Sequence, residues 1–129
     1  MNYVGVDVDS KFLVCKIQRN GKEFPISTFE NTPIGHRQFI KWSTKYHKPA
    51  RVCMEATGVY SLLFALALDQ TQNIEVMVMN PRAIKHFATA WLQRGKTDAL
   101  DAETIMQYLI RMPFREWQPP TDEYFEIQD

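Results

Sequence analysis

The strongest constraint on the fold is the order in which β-rich runs and helix-length segments follow one another. The first three runs are separated by turn-length gaps, and Asn20-Gly21 is a hairpin turn signal between the second and the third. Later runs alternate with longer segments of helical character. Five strands are predicted, at residues 3–8, 12–18, 23–29, 51–55 and 74–79. Three antiparallel strands followed by alternating helices and strands indicate a mixed α/β sheet with helices on its faces.

Helix boundaries follow from capping residues and breakers. Thr32-Pro33 resembles an N-cap followed by a first-turn proline. Thr97 as the N-cap of the last helix would place Asp98 in its first turn, where the helix dipole tolerates an anion. Pro25 should place the third strand at an edge or a bulge. Right-handed crossovers would bring the first and the fourth strands together. The predicted helices are residues 33–46, about ten residues after Thr57-Gly58, residues 81–92 and residues 97–111.

Composition excludes several classes of protein. The 129 residues, 45% of them hydrophobic, are enough for one globular domain with a real core. No apolar run is long enough to cross a bilayer, and the charged residues near the start do not fit a signal peptide. Cys15 and Cys53 lie in predicted strands and are expected to be buried, reduced thiols. We therefore expect a cytoplasmic protein.

The net charge of zero hides an uneven distribution. All 15 Lys and Arg residues lie within residues 1–115, whereas five of the 15 acids follow, so residues 1–115 carry a formal charge of +5. Residues 31–54 and 76–97 contain no acid at all. Arg37, Lys41 and Lys45 recur every four residues along one predicted helix. Such basic stripes suit a phosphate backbone, although solvated helix faces show the same pattern.

Four acids from three distant segments could form one site. Asp7 ends the first apolar run and Glu55 ends the fourth strand, while Asp98 and Asp101 lie three residues apart, a spacing that places two side chains on one helix face. Four such carboxylates would repel one another unless a cation lay between them. A divalent metal site that acts on phosphodiesters is therefore predicted.

The segments GVDVDSK, MEATGVY, Asn80-Pro81 and KTDALDA occur in the order found in DEDD-class insertion-sequence transposases and the related site-specific DNA invertases. The chain resembles this family over about residues 3–112. The resemblance implies an RNase H-like catalytic domain, over residues 1–113, similar to Holliday-junction resolvases. It also implies that Asp7, Glu55, Asp98 and Asp101 bind Mg²⁺, with Mn²⁺ as a substitute.

DNA, a guide RNA and further copies of the chain are the partners that the resemblance implies. Arg37, Lys41 and Lys45 could contact either nucleic acid, and Lys96 either contacts a phosphate or is solvated. Thr57 and Tyr60 fall within the family motif. Thr57 is either a helix cap or a catalytic residue, and Tyr60 is either a packing or backbone-contact residue or a catalytic one.

Two departures from the family pattern leave alternatives open. Asp9 either adds a fifth carboxylate or lies in a turn facing solvent, which is the favoured interpretation. Family members also have a second domain with a serine nucleophile, which no segment of this chain matches, so residues 114–129 are interpreted as an acidic linker toward that domain. The leading hypothesis is the metal-binding catalytic domain of a DNA transposase or recombinase. The alternatives are a stand-alone metal-dependent junction nuclease and a non-catalytic module for nucleic-acid binding or oligomerisation.

Overall fold

The computed structural model describes residues 1–91 and 101–120, which form a mixed sheet covered by helices. Its strands are β1 (Asn2–Val8), β2 (Phe12–Arg19), β3 (Lys22–Glu23), β4 (Ser27–Glu30), β5 (Ala50–Glu55) and β6 (Ile74–Met79). Its helices are α1 (Pro33–Ser43), α2 (Val59–Asp69), α3 (Pro81–Trp91) and α4 (Ala102–Arg111), with a 3₁₀ turn at Lys45–His47. None of these helices is long and apolar enough to cross a membrane.

The sheet has the order β3-β2-β1-β5-β6, and β4 also pairs with β2. The strands β1 and β2 are antiparallel, whereas β1, β5 and β6 run parallel. Strand β5, which ends at Glu55, pairs with β1 in parallel. This confirms the prediction that these two strands are neighbours. Their register pairs Gly5 with Cys53 and Val6 with Met54.

Two layers of core lie on opposite faces of this sheet. The larger layer packs Val4, Val6 and Val52 against Phe39 of α1 and Phe64 of α2. The second layer packs other residues of β5 and β6 against α3 and α4, namely Cys53, Met77, Ile84, Ile105, Tyr108 and Leu109. Strand residues alternate between the two layers, as the period of two requires. This arrangement is that of an RNase H-like domain, and the predicted fold class is confirmed.

Three boundaries differ from the prediction. Within the described residues the sheet has six strands and not five, because the predicted third strand is interrupted around Pro25, which cannot donate a ladder hydrogen bond. Helix α1 is capped by Thr32 as predicted but ends at Ser43, since its C-cap Thr44 leaves the helical conformation, with φ −106° and ψ 24°. In the 3₁₀ turn that follows, Tyr46 is left-handed, with φ 62°. Helix α4 begins at Ala102 and not near Thr97, because Asp101 is extended, with ψ 173°.

Candidate active site

Asp7 and Glu55 lie at the carboxyl ends of the two central strands. The last registered pair of β1 and β5 is Val6 with Met54, one residue before these acids. Gly5 faces α4 and Cys53 belongs to the core layer on that side, so Asp7 and Glu55, two residues further on, project from the same face. The parallel pairing therefore brings together two acids that are 48 positions apart in the sequence.

Asp101 reaches the same edge from α4. Its Oδ1 accepts a hydrogen bond from the Thr104 N–H (2.9 Å), so Asp101 is the N-cap of α4. The helix passes directly over Gly5: a Cβ at that position would lie 2.2 Å from the Ala102 carbonyl oxygen and 2.3 Å from the Met106 nitrogen. Because Asp101 precedes Ala102 and Asp7 follows Gly5 by two residues, this close approach places the helix N-terminus beside Asp7.

Burial and mutual repulsion both disfavour the ionised forms of Asp7 and Glu55. Burial raises the pKa of Asp7 above its ordinary value, and the nearby carboxylates of Asp9 and Asp101 raise it further. Burial, followed by the charge of Asp7, likewise raises the pKa of Glu55. Three of the four predicted acids are thus electrostatically coupled, and a cation among them would lower the free energy of their ionised forms.

The coupled acids are oxygen donors, which fits a hard divalent cation such as Mg²⁺. Within residues 1–91 and 101–120, however, no group of three or more Asp, Glu, His or Cys side chains is arranged to hold a metal ion. Asp98, the fourth predicted ligand, lies outside the described residues, as does Lys96. The interpretation of Asp98 and Asp101 as neighbours on one helix face is wrong for Asp101, which caps α4 from outside it. Asp favours such caps because its side chain bonds nearby backbone amides.

Asp9 lies beyond the end of β1. Its backbone N–H donates to the Phe12 carbonyl (2.9 Å), and its carbonyl accepts from Asn31 Nδ2 (2.8 Å), so it sits in the turn between β1 and β2. Its side chain is exposed, as the favoured interpretation expects, but its charge still acts on Asp7.

The loop after Glu55 is built on Gly58 and not on Thr57. Gly58 has φ 77° and ψ −143°, a conformation that side chains disfavour, and it occupies the N-cap of α2 without a side-chain hydrogen bond. Ser61 Oγ accepts from the Thr57 N–H (2.9 Å) and donates to the Gly58 carbonyl (3.0 Å). Thr57 is therefore not the helix cap. Tyr60 is 46% exposed, so it is not a buried packing residue in this domain.

The predicted basic residues lie on and after α1. Arg37 and Lys41 are exposed on the helix, and Lys45 is exposed in the following 3₁₀ turn. The beginning of α1 is joined to the acidic edge by the Asn31–Asp9 hydrogen bond and by a second one between His36 Nε2 and Asn31 Oδ1 (2.7 Å). The row of basic side chains therefore starts near this edge and runs away from it. Burial lowers the pKa of His36, which adds no charge to the row near neutral pH.

Two positioning features were not predicted from the sequence. Gly5 looks like an ordinary small strand residue, and its role depends on α4, a hundred residues later. The N-cap role of Asp101 had a readable signal, because an Asp immediately before the amphipathic run AETIMQYLI is a typical helix start.

The sheet order and the acidic edge define the class of this chain as an RNase H-like domain. A family model described as Transposase, that of the IS110-type DEDD transposases, matches residues 4–129. The chain belongs to this transposase family, and the resemblance noted from its motifs is confirmed. No curated protein matches the chain significantly. Membership implies that the protein acts in DNA transposition and binds DNA.

Proposed function

We propose that this chain is the metal-dependent catalytic part of a DNA transposase that cuts and rejoins strands. Asp7, Glu55, Asp98 and Asp101 would hold the divalent cation, Mg²⁺ with Mn²⁺ as a substitute. The observation that carries the proposal is the convergence of Asp7, Glu55 and Asp101 on one edge and one face of the sheet. There, burial and the charges of Asp9 and Asp101 raise the pKa of Asp7, and burial and the charge of Asp7 raise the pKa of Glu55. A bound cation would polarise the phosphodiester and stabilise the charge that develops on its oxygens.

The protein's own part in this chemistry is to position charge. Strands β1 and β5 fix Asp7 and Glu55 through the sheet ladder, and the N-cap hydrogen bond orients Asp101. Carboxylates held by rigid elements lose little freedom on binding a ligand. The nucleophilic serine that the family resemblance implies would come from outside residues 1–129, so we expect the chain to bind DNA without exchanging strands. A guide RNA and a homo-oligomer stay predictions of the same resemblance.

A metal titration tests the acidic site. Glu55→Gln and Asp98→Asn should each weaken Mn²⁺ binding strongly in calorimetry, since each removes a charged oxygen ligand. Asp69→Asn is the matched control, because Asp69 is exposed at the far end of α2 and should leave the affinity unchanged. Equal affinity in wild type, Glu55→Gln and Asp98→Asn would refute the site.

The row of Arg37, Lys41 and Lys45 supports a second element of the proposal, a track for the DNA backbone. Residues four apart on a helix rise about 6 Å along its axis, so Arg37 and Lys41 can meet successive phosphates. Arg37→Ala and Lys41→Ala should each reduce the slope of log affinity against log salt by about 0.9. Lys22→Ala, in β3, is the control and should leave the slope unchanged.

Incubating the chain with branched and linear DNA in Mg²⁺ or Mn²⁺ tests the serine requirement. Binding without strand cleavage is the expected result. Cleavage by this chain alone would favour the stand-alone junction nuclease.

A further inference from the structure

A cavity of about 210 Å³ lies between α2 and the segment that follows α4. None of its lining side chains is charged, and the only hydroxyl among them belongs to Ser61. That hydroxyl already accepts from the Thr57 N–H and donates to the Gly58 carbonyl. The lining consists of Ala56, Gly58, Ser61, Leu62, Ala65, Val78 and Trp117.

Trp117 is a fixed wall of this cavity. Its backbone N–H donates to the Val76 carbonyl (2.7 Å), and its side chain packs against the core layer that contains Phe64. Three residues earlier, Phe114 packs on the opposite core layer, with the Arg51 guanidinium 4.2 Å from its ring centroid. The segment therefore crosses the outer edge of β6 and is anchored on both faces of the sheet, which holds the indole in place.

The cavity adjoins the acidic edge. Ala56 and Gly58 are the first and third residues after Glu55, and the Ala56 N–H is bound to the Met79 carbonyl at the end of β6 (2.9 Å). Asp7 and Glu55 project from the other face of the sheet, so a DNA strand at this edge would meet carboxylates on one side and a neutral hollow on the other.

We propose that this cavity receives one nucleobase of the DNA strand that is bound at the acidic edge, stacked on Trp117. The chemistry of the acidic edge and of the neutral cavity indicates that a base occupies the cavity. Phosphates require cations, whereas the base is the flat, uncharged part of a nucleotide and stacks on aromatic rings. Because the Ser61 hydroxyl already donates its proton to the Gly58 carbonyl and accepts from the Thr57 N–H, it has no proton left to donate to a base, and the cavity holds a base mainly by stacking. This inference rests on the proposed function for its substrate class.

The test compares short single strands of DNA that carry the same phosphates with and without bases. Fluorescence anisotropy would measure binding of a labelled tetranucleotide and of an all-abasic strand of equal length. Stacking of one base should make the normal strand bind roughly 5- to 150-fold more tightly. Trp117→Leu, which removes the stacking surface, and Val78→Phe, which fills the cavity, should each bring this ratio close to one.

Trp91→Leu is the matched control. Trp91 is 42% exposed, but Phe87 stacks on it and the Arg111 guanidinium lies 4.1 Å from its ring centroid, so its faces are already occupied. The ratio in this variant should equal that of wild type. Circular dichroism identifies a variant that fails to fold. Because Val78→Phe and Trp117→Leu perturb the domain in different ways, one of them still tests the proposal if the other does not fold.

The proposal is overturned if wild type, Trp117→Leu and Val78→Phe show the same ratio, or if wild type binds neither strand. It is also overturned if Val78→Phe changes only the oligomeric state in sedimentation, because the cavity would then hold a residue of a second copy. Failure of the proposed function has a separate signature, unchanged Mn²⁺ affinity in Glu55→Gln.

Discussion

Gly5→Ala would separate the acidic residues by moving a helix. The new Cβ would lie 2.2 Å from the Ala102 oxygen, whereas ordinary van der Waals contact begins at 3.4 Å. The atoms it meets belong to the backbone of α4, so no side chain can rotate away and the helix must retreat by roughly 1 Å. Overpacking of this kind typically costs 1–3 kcal/mol, and the rigid neighbours favour the upper end, about 3 kcal/mol. The midpoint of thermal unfolding should fall by about 10 °C.

The same retreat would carry Asp101 away from Asp7. Mn²⁺ affinity should then fall roughly 10- to 100-fold, as it does when residues that support metal ligands are changed. Denaturant unfolding and calorimetry measure the two effects. Gly21→Ala is the control: it introduces strain at φ +77° with no atom within 4 Å, so it should cost about 1–2 kcal/mol without changing metal affinity. A fully stable Gly5→Ala variant, or one with normal metal affinity, would refute the positioning role of Gly5.

Three further outcomes follow from the geometry. Asp101→Asn should keep the N-cap hydrogen bond and the stability of the domain but lose Mn²⁺ affinity. Asp101→Ala should lose Mn²⁺ affinity and also about 1 kcal/mol of stability, so equal unfolding curves for the two variants would contradict the N-cap role. Because the pKa values of Asp7 and Glu55 are raised in the folded state, the metal-free chain should lose stability as pH rises above the ordinary carboxyl pKa of about 4. Asp7→Asn should lessen that loss in thermal unfolding with chelator present. Burial raises the pKa of the Cys53 thiol to about 12, so alkylation at about pH 8 should require unfolding, and rapid labelling of the native chain would contradict its burial.

Local chemistry made most of the fold predictable. The five predicted strands fall on real ones because Val- and Ile-rich runs are bounded by turn residues, and Thr32 caps α1 as its position before Pro33 indicates. Pro25 indicated an edge or a bulge in the sheet. Its actual effect is to divide the predicted strand into two short strands, β3 and β4, which both pair with β2, and this depends on tertiary pairing.

The pairing of the strands that carry Asp7 and Glu55 was predictable, but the residues that support these acids were not. Asp7 and Glu55 could be paired from the parallel crossover, which is a rule of chain topology. The role of Gly5 could not be predicted, because it requires the approach of α4 to within van der Waals distance. The same applies to Trp117: a segment with several prolines suggested a linker, whereas Phe114 and Trp117 pack on opposite core layers. The boundary after residue 113 stays a prediction.

The segment that carries Trp117 has a consequence for solubility. Strand β6 ends the sheet order, and an uncovered terminal strand offers its backbone groups to any other extended chain. The Trp117 N–H occupies the Val76 carbonyl, and the Arg115 N–H points at Met77 Sδ (3.3 Å). A chain shortened after Pro113 would keep every helix and strand of the described residues, yet it would expose this edge and should form intermolecular sheet aggregates.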